Sequence, residues 1–249
     1  MAAFALVDTD VFVDGLDASC FSNKAAFNVE VADLDVTTFC SAGWRQVIGG
    51  IKSVIVDLEG PQDLAFAAAS AVSGPDQAYA VLGQGVSYVI QAAPVGGTEG
   101  NVAYGTQAVF TQYVPLDGAV GDVAMHKASF TGCCPVVRGV QATLATITTT
   151  SNGTGHQLGA VSATQSIYGG LNILTAAGTT PTLDVIIQSD DNAGFTTPTT
   201  RATFTQMTAK GGQWVSAVGA FTDTYWRLSF TVGGTGGPSF QVRGFLGIA

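Results

Sequence analysis

Apolar and polar positions alternate with period two along the opening stretch of the chain. In residues 5–13, Val7, Thr9, Val11 and Val13 fall on one face and Asp8, Asp10 and Asp14 on the other, which predicts a half-buried strand ending at the Asp14-Gly15 turn. Phe27, Val29 and Val31 repeat the pattern opposite Asn28 and Glu30. After Gly49-Gly50, Val54, Val56 and Leu58 share a face while Ser53, Asp57 and Glu59 take the other. Ile55 interrupts that polar face and implies that it too is partly covered. Gly60-Pro61-Gln62-Asp63 then reads as a helix start, because proline suits the first helical position and Asp63 the positive end of the dipole. Leu64, Ala67, Ala68 and Ala71 follow at helical spacing before Gly74-Pro75, predicting one short helix near residues 61–72.

From Ala78 the strand pattern returns. Residues 79–91 and 102–114 flank a Gly-containing stretch at 94–101 and predict a long hairpin. Its uncharged arms, with Tyr88, Val89 and Ile90 on one and Val109 and Phe110 on the other, are an aggregation hazard if left exposed, and in an assembly could pair with a neighbour. Further strands are expected at 120–130, 135–150, 182–188, 201–207, 224–232 and 239–245. The alternation is clearest where Trp226, Leu228, Phe230 and Val232 oppose Tyr225, Arg227, Ser229 and Thr231. The polar break at 148–156 is the candidate domain boundary. The expected fold is all-β, mainly β with one short helix. A barrel- or sandwich-type domain spans 1–150 and a second β-sandwich domain 151–249, with 157–174 equally suited to dock on the first.

Composition changes this picture in one respect. Of 249 residues, 47% are apolar and only 11% charged, and the mean hydropathy is +0.35, so much of the surface is expected to lie against other subunits. The net charge of −9 argues against binding nucleic acid by neutralising phosphates, although an acidic wall would let it pass without sticking. No membrane span is expected, since the uncharged run at 139–183 is filled with Thr, Ser, Asn, Gln and Gly. Residues 1–12 lack a basic n-region and carry Asp8 and Asp10, so no secretory signal is expected and synthesis and assembly are assigned to the cytosol.

Candidate chemistry is sparse. Cys20, Cys40, Cys133 and Cys134 form no CxxC pair and sit at no ligand spacing from His126 or His156, so all four are expected to be small buried hydrophobes. Ser189-Asp190-Asp191-Asn192-Ala193-Gly194 offers hard oxygen ligands but lacks the glutamate and glycine positions of a calcium loop, leaving an Asx-rich turn as the favoured reading. Gly83-Gln84-Gly85 is too short for a phosphate loop, and no GxSxG elbow lies near either histidine. No catalytic residue, metal or cofactor is assigned, and the chain is read as a non-enzyme. Trp226 is expected in the core, whereas Trp214 beside Gly211-Gly212-Gln213 could stack on a sugar ring.

The run Leu34-Asp35-Val36-Thr37-Thr38-Phe39, then Gly43-Trp44-Arg45, then Ile48-Gly49-Gly50-Ile51-Lys52-Ser53-Val54 to Leu58-Glu59-Gly60 reads as a hairpin with an exposed aromatic–cation tip. Tryptophan and arginine are the residues most enriched at interface hot spots, so Trp44 and Arg45 lead the candidates for contact with another chain. This run resembles the major tail (tail tube) proteins of long, non-contractile-tailed bacteriophages. So do Phe4-Ala5-Leu6-Val7-Asp8, Gln157-Leu158-Gly159-Ala160-Val161, Leu183-Asp184-Val185-Ile186-Ile187 and Thr222-Asp223-Thr224-Tyr225-Trp226-Arg227.

The resemblance implies a structural virion protein forming stacked, hexameric rings around a tape measure protein and later DNA in transit. Tail terminator and baseplate or initiator proteins would be its other partners, in a virion tail assembled in the host cytoplasm. It places Asp35, Thr37, Thr38, Phe39, Trp44, Arg45, Gly49, Gly50 and Lys52 at subunit or ring contacts, and makes Asp57 and Glu59 candidate lumen charges. The helix near 61–72 would pack outside the barrel. The alternative, from another class, is a virion surface binding module: a host-glycan-binding tail component or a capsid decoration protein.

Overall fold

The alternation resolves into strands in the computed structural model, which describes residues 6–62, 82 and 85–249. In chain order they are β1 (Asp10–Val13), β2 (Leu16–Asp17), β3 (Lys24–Asp35), β4 (Val47–Pro61), β5 (Ser87–Ala93), β6 (Val102–Asp117), β7 (Met125–Gly132) and β8 (Val137–Ile147). They continue with β9 (Ser151–Asn152), β10 (His156–Gln157), β11 (Ser166–Ala177), β12 (Thr182–Asp190), β13 (Thr199–Thr203), β14 (Gly211–Val218), β15 (Tyr225–Gly233) and β16 (Ser239–Ile248). The protein is all-β, as the periodicity predicts.

An 11-stranded antiparallel sheet runs β14-β11-β16-β8-β6-β5-β1-β2, with β7, β4 and β3 branching from β6. The branch point is a change of partner along one strand. β6 pairs with β8 over Val102–Gly105 and with β7 from Ala108 onward, while β5 holds its other edge. A 5-stranded sheet runs β10-β15-β12-β13, with β9 also on β15. The short strands β9 and β10 lie in the polar break at 148–156, so that segment contributes to the second sheet. β16 pairs with β8 along most of its length, and the large sheet therefore continues from one half of the chain into the other.

Two main cores follow from the alternating positions. Leu183, Val185 and Ile187 of β12 and Trp226, Leu228 and Phe230 of β15 face Ile167, Leu171 and Ile173 of β11 and Phe240, Val242 and Leu246 of β16. Each such side chain contributes about 1.5–3 kcal/mol by leaving water. The other core gathers Val54, Val56 and Leu58 of β4 with Val11, Ile90, Phe110 and Phe130, the two phenylalanines stacking at 4.7 Å between ring centroids. Ile55, on the opposite face of β4, is half-buried as expected.

Several expectations need correction. β1 is shorter than 5–13: Val7 is exposed, and consecutive Val11 and Phe12 are both buried because each face of β1 is covered. Pro61 does not open a helix but ends β4 opposite Met125, and the Gln62 N–H donates to the Ala124 carbonyl. A strand end tolerates the missing proline N–H. The remainder of the helix expected near 61–72 lies outside the described residues. β4 reaches this point beside a close crossing: a Cβ on Gly60 would fall 1.7 Å from the Phe21 carbonyl oxygen, so only glycine fits. β14, which carries Trp214, was not legible because it begins at Gly211-Gly212.

Candidate assembly interface

β3 and β4 form one long hairpin, and its two halves differ. Near the base, β4 is held between β3 and β7, with β7 reaching only as far as Ile55. Among the described residues, β4 beyond that point has only β3 as partner, and β3 has only β4. The outer part, from Val29 to Asp35 and back from Val47, is a two-stranded ribbon about 23 Å long at the usual strand rise. Such a ribbon is marginally stable in water by itself.

This ribbon carries apolar side chains on both faces. Phe27, Val29 and Val31 continue the face that β4 shares through Val54 and Val56, but past the core they emerge, and Val29 and Val31 are exposed. The register shifts between Val31↔Lys52 and Asp33↔Gly49, so that Gly50 and Ile51 together oppose Ala32. This bulge sits at the Gly-Gly step, where a Cβ on Gly50 would press on the Ala32 carbonyl and the Leu34 side chain at 3.0 Å. The extra residue reverses the phase of β4 and brings Ile48 opposite Leu34 on the other face, where they are 53% and 50% exposed. Ile51, in the bulge itself, is 85% exposed.

The tip is built by local hydrogen bonds. Thr38 and Ser41 form a reciprocal capping box around the single turn Phe39–Ser41, and Ala42 takes a left-handed conformation with φ 51°. The Thr37 hydroxyl accepts from the Gln46 N–H at 2.9 Å, closing the loop across the strands. Phe39 and Trp44 project from this frame, Trp44 with 77% of its surface exposed. Arg45 does not point to solvent alone: its guanidinium pairs with Asp33 at 2.8 Å and Asp35 at 3.4 Å. The Asp35 carboxyl is held below its usual range, first by hydrogen bonds from Thr37 and then by Arg45. The structure thus gathers Asp35, Thr37, Thr38, Phe39, Trp44, Arg45, Gly49, Gly50 and Lys52 on one protruding element. Missed at the sequence level were Val29, Val31, Leu34, Val36, Val47, Ile48 and Ile51, all exposed there. Their signal was an apolar pattern persisting on both sides of the Gly-Gly step.

Asp57 and Glu59 sit at the base, on the face of β4 opposite the core. Asp57 accepts from the Ser129 hydroxyl at 2.6 Å and the Asn28 amide at 3.3 Å, while Glu59 pairs with Lys24 at 2.9 Å. Lys127, paired in register with Glu59, bonds Asp117 at 2.9 Å, which raises the Lys127 pKa and lowers that of Asp117. This face is therefore polar, with Glu59 and Asp117 paired to lysines and Asp57 held by neutral donors. On the other face of β3, a cleft of about 1150 Å³ lies between β1 and β3, lined by Val11, Phe27, Val29, Ala92 and Tyr104.

The remaining candidates resolve differently. Trp214 stacks on Phe245 at 5.7 Å and lies 5.8 Å from Tyr168, so it is a half-buried packing residue and offers no open platform for a sugar. Asp190 spends its carboxylate on its own loop, accepting from the N–H groups of Asn192 and Thr197, and Asn192 accepts from that of Gly194. The cysteines are not buried: Cys20, Cys40 and Cys133 are exposed and Cys134 half-buried, because they lie in turns rather than on inward strand positions. Burial and the neighbouring Cys133 push the Cys134 thiol up to about 11. Burial lowers the pKa of His126, and the ring of His156 lies 3.3 Å from the Ala142 carbonyl. Among the described residues no helix is long and apolar enough to cross a membrane.

No family model matches the chain, and no curated protein does. Solved structures with partial likeness include a chain of the virion of a native gene transfer agent particle, at 15% identity and a TM-score of 0.38, covering 54% of this chain and 97% of that one. A chain of the sheath–tube complex of an extracellular contractile injection system matches at 12% identity and a TM-score of 0.41, covering 55% and 92%. The SPP1 Dit protein matches over 97% of this chain and 99% of its own, at 8% identity and a TM-score of 0.37. At these TM-scores the likenesses do not fix a family.

Proposed function

We propose that this protein is a structural subunit of a phage-type tail, and that it self-assembles into stacked, hexameric rings forming the tube through which DNA passes. The observation that carries this reading is the outer β3–β4 ribbon, which has no sheet neighbour among the described residues and bears exposed apolar residues on both faces. An isolated subunit gains nothing from such an element, whereas an assembly buries it against a second copy. The low charge content and the sequence resemblance of residues 34–60 support the same reading. In this proposal residues 1–150 form the tube domain and 151–249 the second domain, joined through the continuous β8–β16 pairing. Asp57 and Glu59 line the bore, where an acidic wall lets DNA pass without sticking. Tape measure, tail terminator and baseplate proteins are the expected partners.

Negative-stain electron microscopy of the purified protein, concentrated and incubated for days, is the test. Hollow tubes or rings are the expected result. Monomers under those conditions, together with only a few copies of the chain per purified virion, would sink the tube assignment. A reconstruction placing Asp57 and Glu59 outside the bore would remove the lumen role alone.

A further inference from the structure

We propose that the seam between the two halves of the molecule is an internal hydration site, in which Gln91, Gln141, Asn172 and Arg243 bind ordered water. The large sheet curls so that β11 and β14 approach β5 and the β1–β2 turn. The Gly15 N–H donates to Asn172 Oδ1 at 2.9 Å, and a Cβ on Gly212 would collide with Asp14 and Val89. Pairing then sets which side chains share the enclosed face. Gln91 lies opposite Phe12, Gln141 opposite Phe245, and Asn172 opposite Arg243. Phe245 and Trp214 both reach the space above Gly105, the partner of Gln91.

This interior is unusually polar for its depth. Gln91, Gln141 and Asn172 are each 0% exposed. Some of their bonds are made: Gln141 Nε2 donates to Asp10 at 3.3 Å, and Arg243 Nη1 to the Val242 carbonyl at 3.1 Å. Both polar atoms of Gln91, Gln141 Oε1, Asn172 Nδ2, Arg243 Nε and Trp214 Nε1 are buried with no partner among the described residues. Leaving so many buried groups unpaired is costly, and proteins answer with internal waters that make about three hydrogen bonds each.

The occupant follows from the mixture of groups. An anion would satisfy the donors on Arg243, Asn172 and Trp214 but not the carbonyl oxygens of Gln91 and Gln141. A cation would do the reverse, next to a guanidinium. Water both donates and accepts, and is the small species that satisfies the whole set.

The experiment is a density map of the full chain at a resolution that shows water, with oxygen-17 relaxation dispersion of wild type and Gln91→Leu in solution. Density bridging Gln91 to Asn172 or Arg243 is expected, with fewer long-lived waters in the variant and a melting temperature lower by about 2–4 °C. Side chains bonded directly to one another with no density between them would overturn the proposal. So would a Gln91→Leu protein of unchanged dispersion and higher melting temperature. If the variant fails to fold, the wild-type map decides alone.

Discussion

Replacing Leu34 and Ile48 together with serine tests the ribbon as an assembly surface. The two side chains face each other across the hairpin, 50% and 53% exposed, and belong to none of the buried clusters. Full burial of a leucine or isoleucine is worth about 1.5–3 kcal/mol, so the half still exposed leaves about 1 kcal/mol each for a partner to recover. Losing about 2 kcal/mol per subunit contact corresponds to roughly a 30-fold rise in the concentration at which assembly begins. The isolated subunit should hardly notice, with a melting temperature within about 2 °C of wild type, since surface changes away from a core are near neutral. Sedimentation velocity across a concentration series reads the threshold, and calorimetry reads the monomer. A variant that assembles at the wild-type concentration would refute the reasoning. A large fall in monomer stability would do so differently, by showing that the pair serves the subunit's own fold.

Other outcomes follow from the geometry. Gly60→Ala should prevent proper folding of the β3–β4 base, because the new methyl would meet the Phe21 carbonyl; circular dichroism and yield of soluble protein check it. The folded-state pKa of His126 lies below its ordinary 6.5, so the unfolded chain binds the proton more readily. Its stability contribution is therefore complete above about pH 6.5 and lost as pH falls below that value; urea midpoints for wild type and His126→Gln should converge in acid. Cys40, exposed beside Phe39, should react with a maleimide in the free subunit and be protected after assembly, whereas Cys134, with its thiol raised to about 11, should react slowly in both; mass spectrometry of the labelled peptides decides.

Many β positions were legible where one face met a core, although β11 and β14, which also border cores, were not among the expected strands. Val54, Val56 and Leu58, and likewise Trp226, Leu228 and Phe230, alternate because one side of each strand is dry, and the structure buries all six. Legibility failed where alternation continued without a core behind it. Val29 and Val31 carry the same period-two signal as their buried neighbours yet are exposed, since nothing in the sequence says where the supporting sheet ends. The Gly-Gly step was readable as a pivot, but its consequence, a phase reversal pairing Leu34 with Ile48, depends on register across the hairpin. The seam was illegible for a related reason: Gln91, Gln141 and Asn172 look like surface positions on their strands until the sheet curls over them. Trp214 misled because its stacking partners, Phe245 and Tyr168, come from other strands.

The change of partner along β6 has a mechanical meaning. A pull on the exposed hairpin is carried by β4 to β7 and by β7 to the far half of β6. From there it travels along an unbroken backbone to the near half, and across β8 into β16. Every link in that path is a row of antiparallel hydrogen bonds or the covalent chain itself, and none is a flexible tether. Strain applied at the tip is therefore transmitted to the far sandwich as shear between strands, shared over many bonds at once. A particle made of such subunits would bend and recoil as a continuous elastic wall.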